Sequence, residues 1–207
     1  SATAIRNDLI TNWEFLPDSV KPYFAVKVVI LGTESTGKTT LTKKLSEHYN
    51  CNFVLEAGRD IIPNSNSFNL ADLHFVANEH SRRIKKSITG SSPLTIIDTD
   101  IHITKSYSKF IFSKDLIVSH DVYNSNKAHL YLYLNNDVDH IQDGTRLSEE
   151  RRNLLDSSHR LVLAEDRIYF NEINGNWDER FKKAVNHINQ ILNTRFQKAV
   201  NRISKTI

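Results

Sequence analysis

The stretch "VVILGTESTGKTTLTKKL", residues 28–45, constrains the fold more than any other part of the chain. A β-branched apolar run empties into Gly32-Thr33-Glu34-Ser35-Thr36-Gly37-Lys38-Thr39, and Thr40 then leads into a helix paced by Leu41, Leu45 and His48. Glycines at the two ends of the loop let the backbone turn so that successive N–H groups face inward as an anion nest. The helix that follows points its positive end at the same spot. A lysine in this position reaches the β- and γ-phosphates of a nucleotide, and the adjacent threonine hydroxyl is placed to ligate Mg2+. Strand, loop and helix in this order make a P-loop. Gly32, Glu34, Ser35, Thr36, Gly37 and Lys38, together with Thr39 and Thr40, are expected to hold ATP, with Thr39 on the metal.

The rest of the chain repeats the strand–helix alternation that such a loop requires. Val26–Leu31 reads as a buried strand, followed by a helix over Thr39–Tyr49 and a second strand over Asn52–Leu55. Residues 57–69 are loop-like, with Gly58, Pro63 and several Asn and Ser. A helix over Leu70–Ile88 carries Leu73, Val76, Ala77, His80 and Ile84 on one face. A third strand, Leu94–Ile97, ends in acids, and a helix over Ile101–Ile111 follows. His120–His129 brackets a polar loop, residues 129–136 form the fourth strand, "RIYFNEI" the fifth, and Trp177 opens a long final helix. The expected architecture is α/β: a five-stranded parallel sheet with helices on both faces, the P-loop NTPase fold in its nucleoside- and nucleotide-kinase form.

Ligands of such sheets sit at the carboxyl ends of the strands. Asp98, ending "LTIID", fits the carboxylate that holds Mg2+ through its water. Asp100 either faces the same cleft or caps the next helix. In "LEAGRD", Glu56 is placed to take a proton from an attacking hydroxyl, with Arg59 and Asp60 holding substrate; the alternative is a loop ion pair among the three. "QDGTRLSEERR" carries Arg146, Arg151 and Arg152, suited to a flap closing over phosphates across about residues 137–156, and equally to a solvated helix capped by Ser148. Lys38, Glu56, Asp98 and Arg146 are the candidate catalytic residues, and Arg151 a further contact to ATP. The set suits a small-molecule kinase, and the absence of an "NKxD" stretch argues against a GTPase.

Composition narrows the class without naming a substrate. The chain has 207 residues, a formal charge of +3 and one cysteine, Cys51, so no internal disulfide or cysteine-rich zinc site is available. A reducing, cytoplasmic setting, no nucleic-acid partner and no membrane partner are the expectations. The histidines are scattered without a close helical metal pair. "RFKKAVNHI" at 180 recurs as "RFQKAVNRI" at 195, a local duplication that lengthens the last helix.

"LGTESTGKTTLTKKL", "EAGRD", "IIDTD" followed by a helix, and "DGTR" with trailing arginines, in that order, resemble the ribosylnicotinamide kinase domain of the NadR-type bifunctional NAD-biosynthesis proteins. The resemblance spans roughly residues 22–190. "SATAIR", residues 1–6, is similar to the end of a nucleotidylyltransferase signature, which implies fusion to an adenylyltransferase in the parent protein. Residues 1–21 are then its remnant and linker, and 22–207 the kinase domain, with its last helix over about 177–205. The resemblance implies ATP-dependent phosphorylation of nicotinamide riboside at its 5′-hydroxyl. It places Lys38 and Thr39 on ATP and Mg2+, Asp98 in support of the metal and Glu56 at the base position. Arg59, Asp100 and Arg146 take riboside or lid roles, and Tyr107, Phe110 and Tyr123 are candidates to contact the pyridinium. A kinase for another nucleoside and an ATP-binding regulatory module are the rival readings.

Overall fold

β1 (Val26–Leu31) is buried at almost every position, as a central strand covered on both faces must be. In the computed structural model, which describes residues 8–62, 68–138 and 148–204 and side chains up to residue 195, it lies at the middle of a five-stranded sheet. Its neighbours are β3 (Leu94–Asp98) and β4 (Leu130–Leu134), with β2 (Asn52–Val54) and β5 (Asn171–Ile173) at the edges. The order is β2-β3-β1-β4-β5, and every pairing is parallel. Parallel neighbours need crossover connections, and the helices supply them.

The period-two alternation of β1 sorts its side chains between the two faces. Val26, Val28 and Ile30 pack against Leu41 and Leu45 of α2 (Lys38–Tyr49) and Ala184 and Ile188 of α8 (Trp177–Ser204). Val29 and Leu31 face Ile84 of α4 (Leu70–Ser87), Ile103 of α5 (Ile101–Phe112) and Leu163 of α7 (Glu149–Glu165). The expected P-loop NTPase architecture is thus the observed one. Ahead of β1, a 3-10 turn (Trp13–Phe15) and α1 (Lys21–Phe24) bury Trp13 and Leu16 against Ala25 and Ile88, and the Trp13 indole donates to the Gly90 carbonyl at 2.9 Å.

Local boundaries differ from the sequence reading where short elements leave no period to read. Gly58–Ile61 forms a helical turn, α3, inside the stretch read as loop; residues 63–67 lie outside the described residues. The expected polar loop after His120 is a helix, α6 (His120–Asn126), capped by the Ser119 hydroxyl accepting from the Val122 N–H and anchored by buried Val122 and Asn126. The fifth strand begins at Asn171, so only the end of "RIYFNEI" is in the ladder.

Candidate active site

The loop between β1 and α2 takes its shape from residues with positive φ: Gly32 at 136°, Ser35 at 60° and Gly37 at 85°. Left-handed turns of this kind expose successive N–H groups to one point. Gly32 is also required by space, because a Cβ there would lie 2.6 Å from the Leu134 carbonyl at the end of β4. The Thr36 hydroxyl donates to the Thr33 carbonyl at 2.8 Å, and the Lys38 ammonium donates to the same oxygen at 2.8 Å. Lys38 is buried. Thr40 is exposed on the first turn of α2.

The carboxylate after β3 meets this loop directly. Asp98 is fully buried, and its Oδ2 accepts from the Thr39 hydroxyl at 2.5 Å. The register that pairs Ile30 with Asp98 brings them together, since it sets the ends of β1 and β3 side by side. These hard oxygen donors suit Mg2+. Among the described residues no group of three His, Cys, Asp or Glu side chains forms a metal cage.

Glu56 follows β2 on the adjacent side of the cleft, with its side chain 25% exposed. Burial raises its pKa above the usual carboxylate value; the Lys38 charge pulls it back down, while Asp98 and Glu34 push it up. The Arg59 guanidinium lies 3.5 Å from Glu56 and is itself mostly exposed. Tyr107, from α5, donates its hydroxyl to the Glu34 carboxylate at 3.0 Å, so the P-loop is tied to the third crossover. Burial, then the Glu34 and Glu56 charges, raise the Tyr107 pKa well above 10, and the phenol stays protonated. Glu34, Lys38, Glu56, Asp98 and Tyr107 therefore form one electrostatic cluster.

Other sequence candidates fall elsewhere. Asp100 is the N-cap of α5: Oδ1 accepts from the His102 N–H at 2.9 Å and Oδ2 from the His102 imidazole at 2.6 Å, with the side chain shut off from solvent. The capping alternative is the one observed. Asp60 pairs with Arg83 of α4 at 2.7 Å and pins α3 to that helix. Tyr123 lies edge-on to His102 under Lys105 and Lys127, within the α5–α6 packing. Arg146 lies outside the described residues. Arg151 is exposed, 6.0 Å from the Phe110 ring. Its neighbour Arg152 is the buried one: Nη2 donates to the Asn136 carbonyl at 3.4 Å, and among the described residues Nε and Nη1 have no hydrogen-bond partner. A buried charge with unpaired donors is costly unless a counter-charge reaches it, which makes Arg152 the stronger phosphate candidate of the pair.

Two residues that the sequence reading assigned only to the last helix also reach the P-loop. Arg180, fully buried on the first turns of α8, donates to the Thr36 carbonyl at 2.9 Å, the Gly175 carbonyl at 2.8 Å and the Asn135 carbonyl at 3.0 Å, and pairs with Asp137. It joins the P-loop to the segments after β4 and β5. Trp177 lies against Gly37, where a Cβ would sit 2.0 Å from the indole ring, and the Arg180 guanidinium is 5.7 Å from that ring. The capping box Asn176-Trp177-Asp178-Glu179 was a readable signal for the helix start, though not for what its first turn touches.

The family model described as AAA domain matches residues 27–180. The chain is homologous to the trifunctional NAD biosynthesis/regulator protein NadR of Escherichia coli strain K12, with 28% identity over 197 residues, covering 89% of this chain and 47% of that protein. The Salmonella typhimurium NadR is 28% identical over 193 residues with the same coverage. The chain thus spans about half the length of these curated relatives. Among solved structures, NadR in complex with NR superposes with a TM-score of 0.74 at 20% identity, over 92% of this chain and 58% of that one. Deoxyadenosine kinase from M. mycoides, with dCMP and dCDP bound, gives 0.61 at 14% identity, over 80% of this chain and all of that one. These likenesses bear on the fold.

Proposed function

We propose that this chain, which belongs to the AAA domain family, is a nucleoside kinase that transfers the γ-phosphoryl group of ATP to the 5′-hydroxyl of nicotinamide riboside, giving nicotinamide mononucleotide and ADP. The observation that carries the reading is the cluster at the strand ends: Lys38, the Thr39–Asp98 pair and a carboxylate, Glu56, just past the neighbouring strand β2. Homology to NadR and the fold shared with deoxyadenosine kinase support a kinase of nucleosides; the choice of nicotinamide riboside rests on that homology and on the ordered motifs.

Phosphoryl transfer asks for positioning and charge stabilisation more than covalent chemistry. The P-loop N–H groups and Lys38 would cradle the phosphates. Mg2+ would be held by Thr39 and, through its water, by Asp98, and would neutralise charge between the β- and γ-phosphates. Glu56 accepts the proton of the 5′-hydroxyl as its oxygen bonds to the γ-phosphorus and the bond to the β-phosphate oxygen breaks. The burial that raises its pKa makes it a better proton acceptor than a free carboxylate. Asp98, already bonded to Thr39, is poorly placed to do this. Arg152 and Arg146 would contribute positive charge from the segment after β4. No helix among the described residues is long and apolar enough to cross a membrane. From the single cysteine we further propose a reducing, cytoplasmic setting, and from "SATAIR" that residues 1–21 form the junction with an adenylyltransferase domain.

The test is a panel of nucleosides incubated with ATP and Mg2+, with product masses read out. Nicotinamide mononucleotide as the dominant product supports the reading. A different nucleoside monophosphate would reassign the acceptor, and ADP release independent of any nucleoside would favour a nucleotide-sensing module.

A further inference from the structure

The turn that carries Asp98 is strained at the next residue. Thr99 has φ 71°, a left-handed conformation that a β-branched side chain seldom adopts. Its N–H still continues the sheet by donating to the Ile30 carbonyl at 3.0 Å, and its carbonyl then points away toward α4. There the His80 Nε2 lies 3.0 Å from the Thr99 oxygen. A carbonyl only accepts, so Nε2 carries the proton, and Nδ1 is the bare nitrogen, with no partner among the described residues. His80 is buried, and burial lowers its pKa, which keeps the ring neutral in this tautomer. Strain of this kind persists only where surrounding structure over-determines it, and it gathers at functional sites.

We propose that His80 is a positioning residue: by holding the Thr99 carbonyl it locks the left-handed turn that keeps the Asp98 carboxylate aimed at Thr39. The bend has other supports: at the turn itself the Thr99 N–H bonds the Ile30 carbonyl and the Thr99 hydroxyl donates to Asp98 Oδ1 at 3.5 Å, and the rest act further along the chain. Asp100 and His102 fix the start of α5, and the Asn126 side chain accepts from the Ile101 N–H at 3.1 Å. Of these side chains, His80 is the one that grips the strained residue itself. Without it, Thr99 can relax toward an extended conformation, and Asp98, one residue earlier, rotates away from the Thr39 hydroxyl. The inference rests on the phosphoryl-transfer reading of the Thr39–Asp98 pair, and not on the identity of the acceptor.

The experiment is a double-mutant cycle on Mn2+ binding, followed by electron paramagnetic resonance in the presence of a non-hydrolysable ATP analogue. Loss of a group that orients a metal-supporting carboxylate commonly costs about 10–100-fold in metal affinity. His80→Phe, which fills the space without a donor, is expected to weaken Mn2+ about tenfold or more, with much less change in binding of the metal-free nucleotide. His80→Gln, which restores an N–H donor of similar reach, is expected to stay within about threefold of wild type. The cycle is completed by Thr99→Gly, because glycine takes the left-handed turn without strain. In that background His80→Phe is expected to lose most of its effect, since coupled sites are non-additive. Equal losses in both backgrounds, or unchanged Mn2+ affinity in His80→Phe, would overturn the proposal. His80→Met carries the same comparison if His80→Phe does not fold. The measurement uses no nucleoside, so its failure is separable from a wrong acceptor.

Discussion

Replacing Arg180 by methionine removes the post to which the P-loop, the end of β4 and the start of α8 are tied. The variant keeps the aliphatic bulk but leaves the carbonyls of Thr36, Gly175 and Asn135 without their donor. Each buried acceptor stranded in this way costs about 1–3 kcal/mol. Asp137, the charged partner, is 39% exposed, so its carboxylate turns to water and adds little. Allowing that one of the three carbonyls finds water, the other two imply a loss of about 2–6 kcal/mol. For a chain of this length that lowers the melting temperature by roughly 10 °C, within what a domain stable by about 5–15 kcal/mol survives. Because Arg180 holds the loop residue next to Gly37, ATP affinity should fall with stability, and added ATP should restore less of the melting temperature than in wild type. Thermal melts with and without ATP, alongside calorimetric titration of ATP, test this. A variant that melts within a degree or two of wild type and binds ATP equally well would refute the tethering role.

Lys38→Ala should fold, losing a single bond to the Thr33 carbonyl, yet lose turnover by about a thousandfold in steady-state assays. Glu56→Gln should cut turnover by about a hundredfold with little change in ATP affinity. Its pH behaviour has a definite sign: the folded pKa is raised, so wild-type kcat/KM should fall as pH drops through a value above the ordinary 4.5, and this limb should vanish in the variant. The same raised pKa means that the folded state holds this proton more tightly than the unfolded chain. The Glu56 contribution to stability is therefore greatest below the ordinary pKa and lost as pH rises through the folded one, a slope that melts of Glu56→Gln should lack. Arg152→Ala should lower kcat by at least tenfold while Arg151→Ala stays within about twofold, as steady-state kinetics of the two would show. Gly37→Ala should weaken ATP binding severely, since a Cβ there collides with the Trp177 ring on a backbone already at φ 85°.

The fold was legible because its signals are local and repeated. The β1 run, the glycine loop and the alternation of short apolar strands with helical spacing each point to the same sheet, and the sheet is there. The Thr39–Asp98 contact was equally accessible, because parallel neighbours bring their strand ends to one edge. What escaped were contacts made by side chains far apart in sequence. Nothing in "RFKKAVNHI" distinguishes the buried Arg180 from a solvated helix arginine; only the packing of α8 against β1 and β4 sends it to the P-loop. Arg151 and Arg152 are adjacent and chemically identical, and the rotation of α7 alone decides which is buried. Asp100 had two readings, and the imidazole two residues on decided for the cap. His80 read simply as part of an apolar helix face, which is where it lies, but its bond goes to a carbonyl whose strain no sequence pattern records.

On the proposed reaction, this cleft moves the γ-phosphoryl group of ATP onto nicotinamide riboside. Incubation of the protein with nicotinamide riboside, Mg2+ and ATP carrying 18O throughout its γ-phosphate tests it most directly, with products resolved by mass spectrometry. Transfer to the 5′-hydroxyl moves the phosphorus with its non-bridging oxygens, while the bridging oxygen comes from the riboside. The expected product is therefore nicotinamide mononucleotide heavier by about 6 Da than the unlabelled compound, formed one for one with ADP. Label appearing only in inorganic phosphate, with the riboside unchanged, would contradict it.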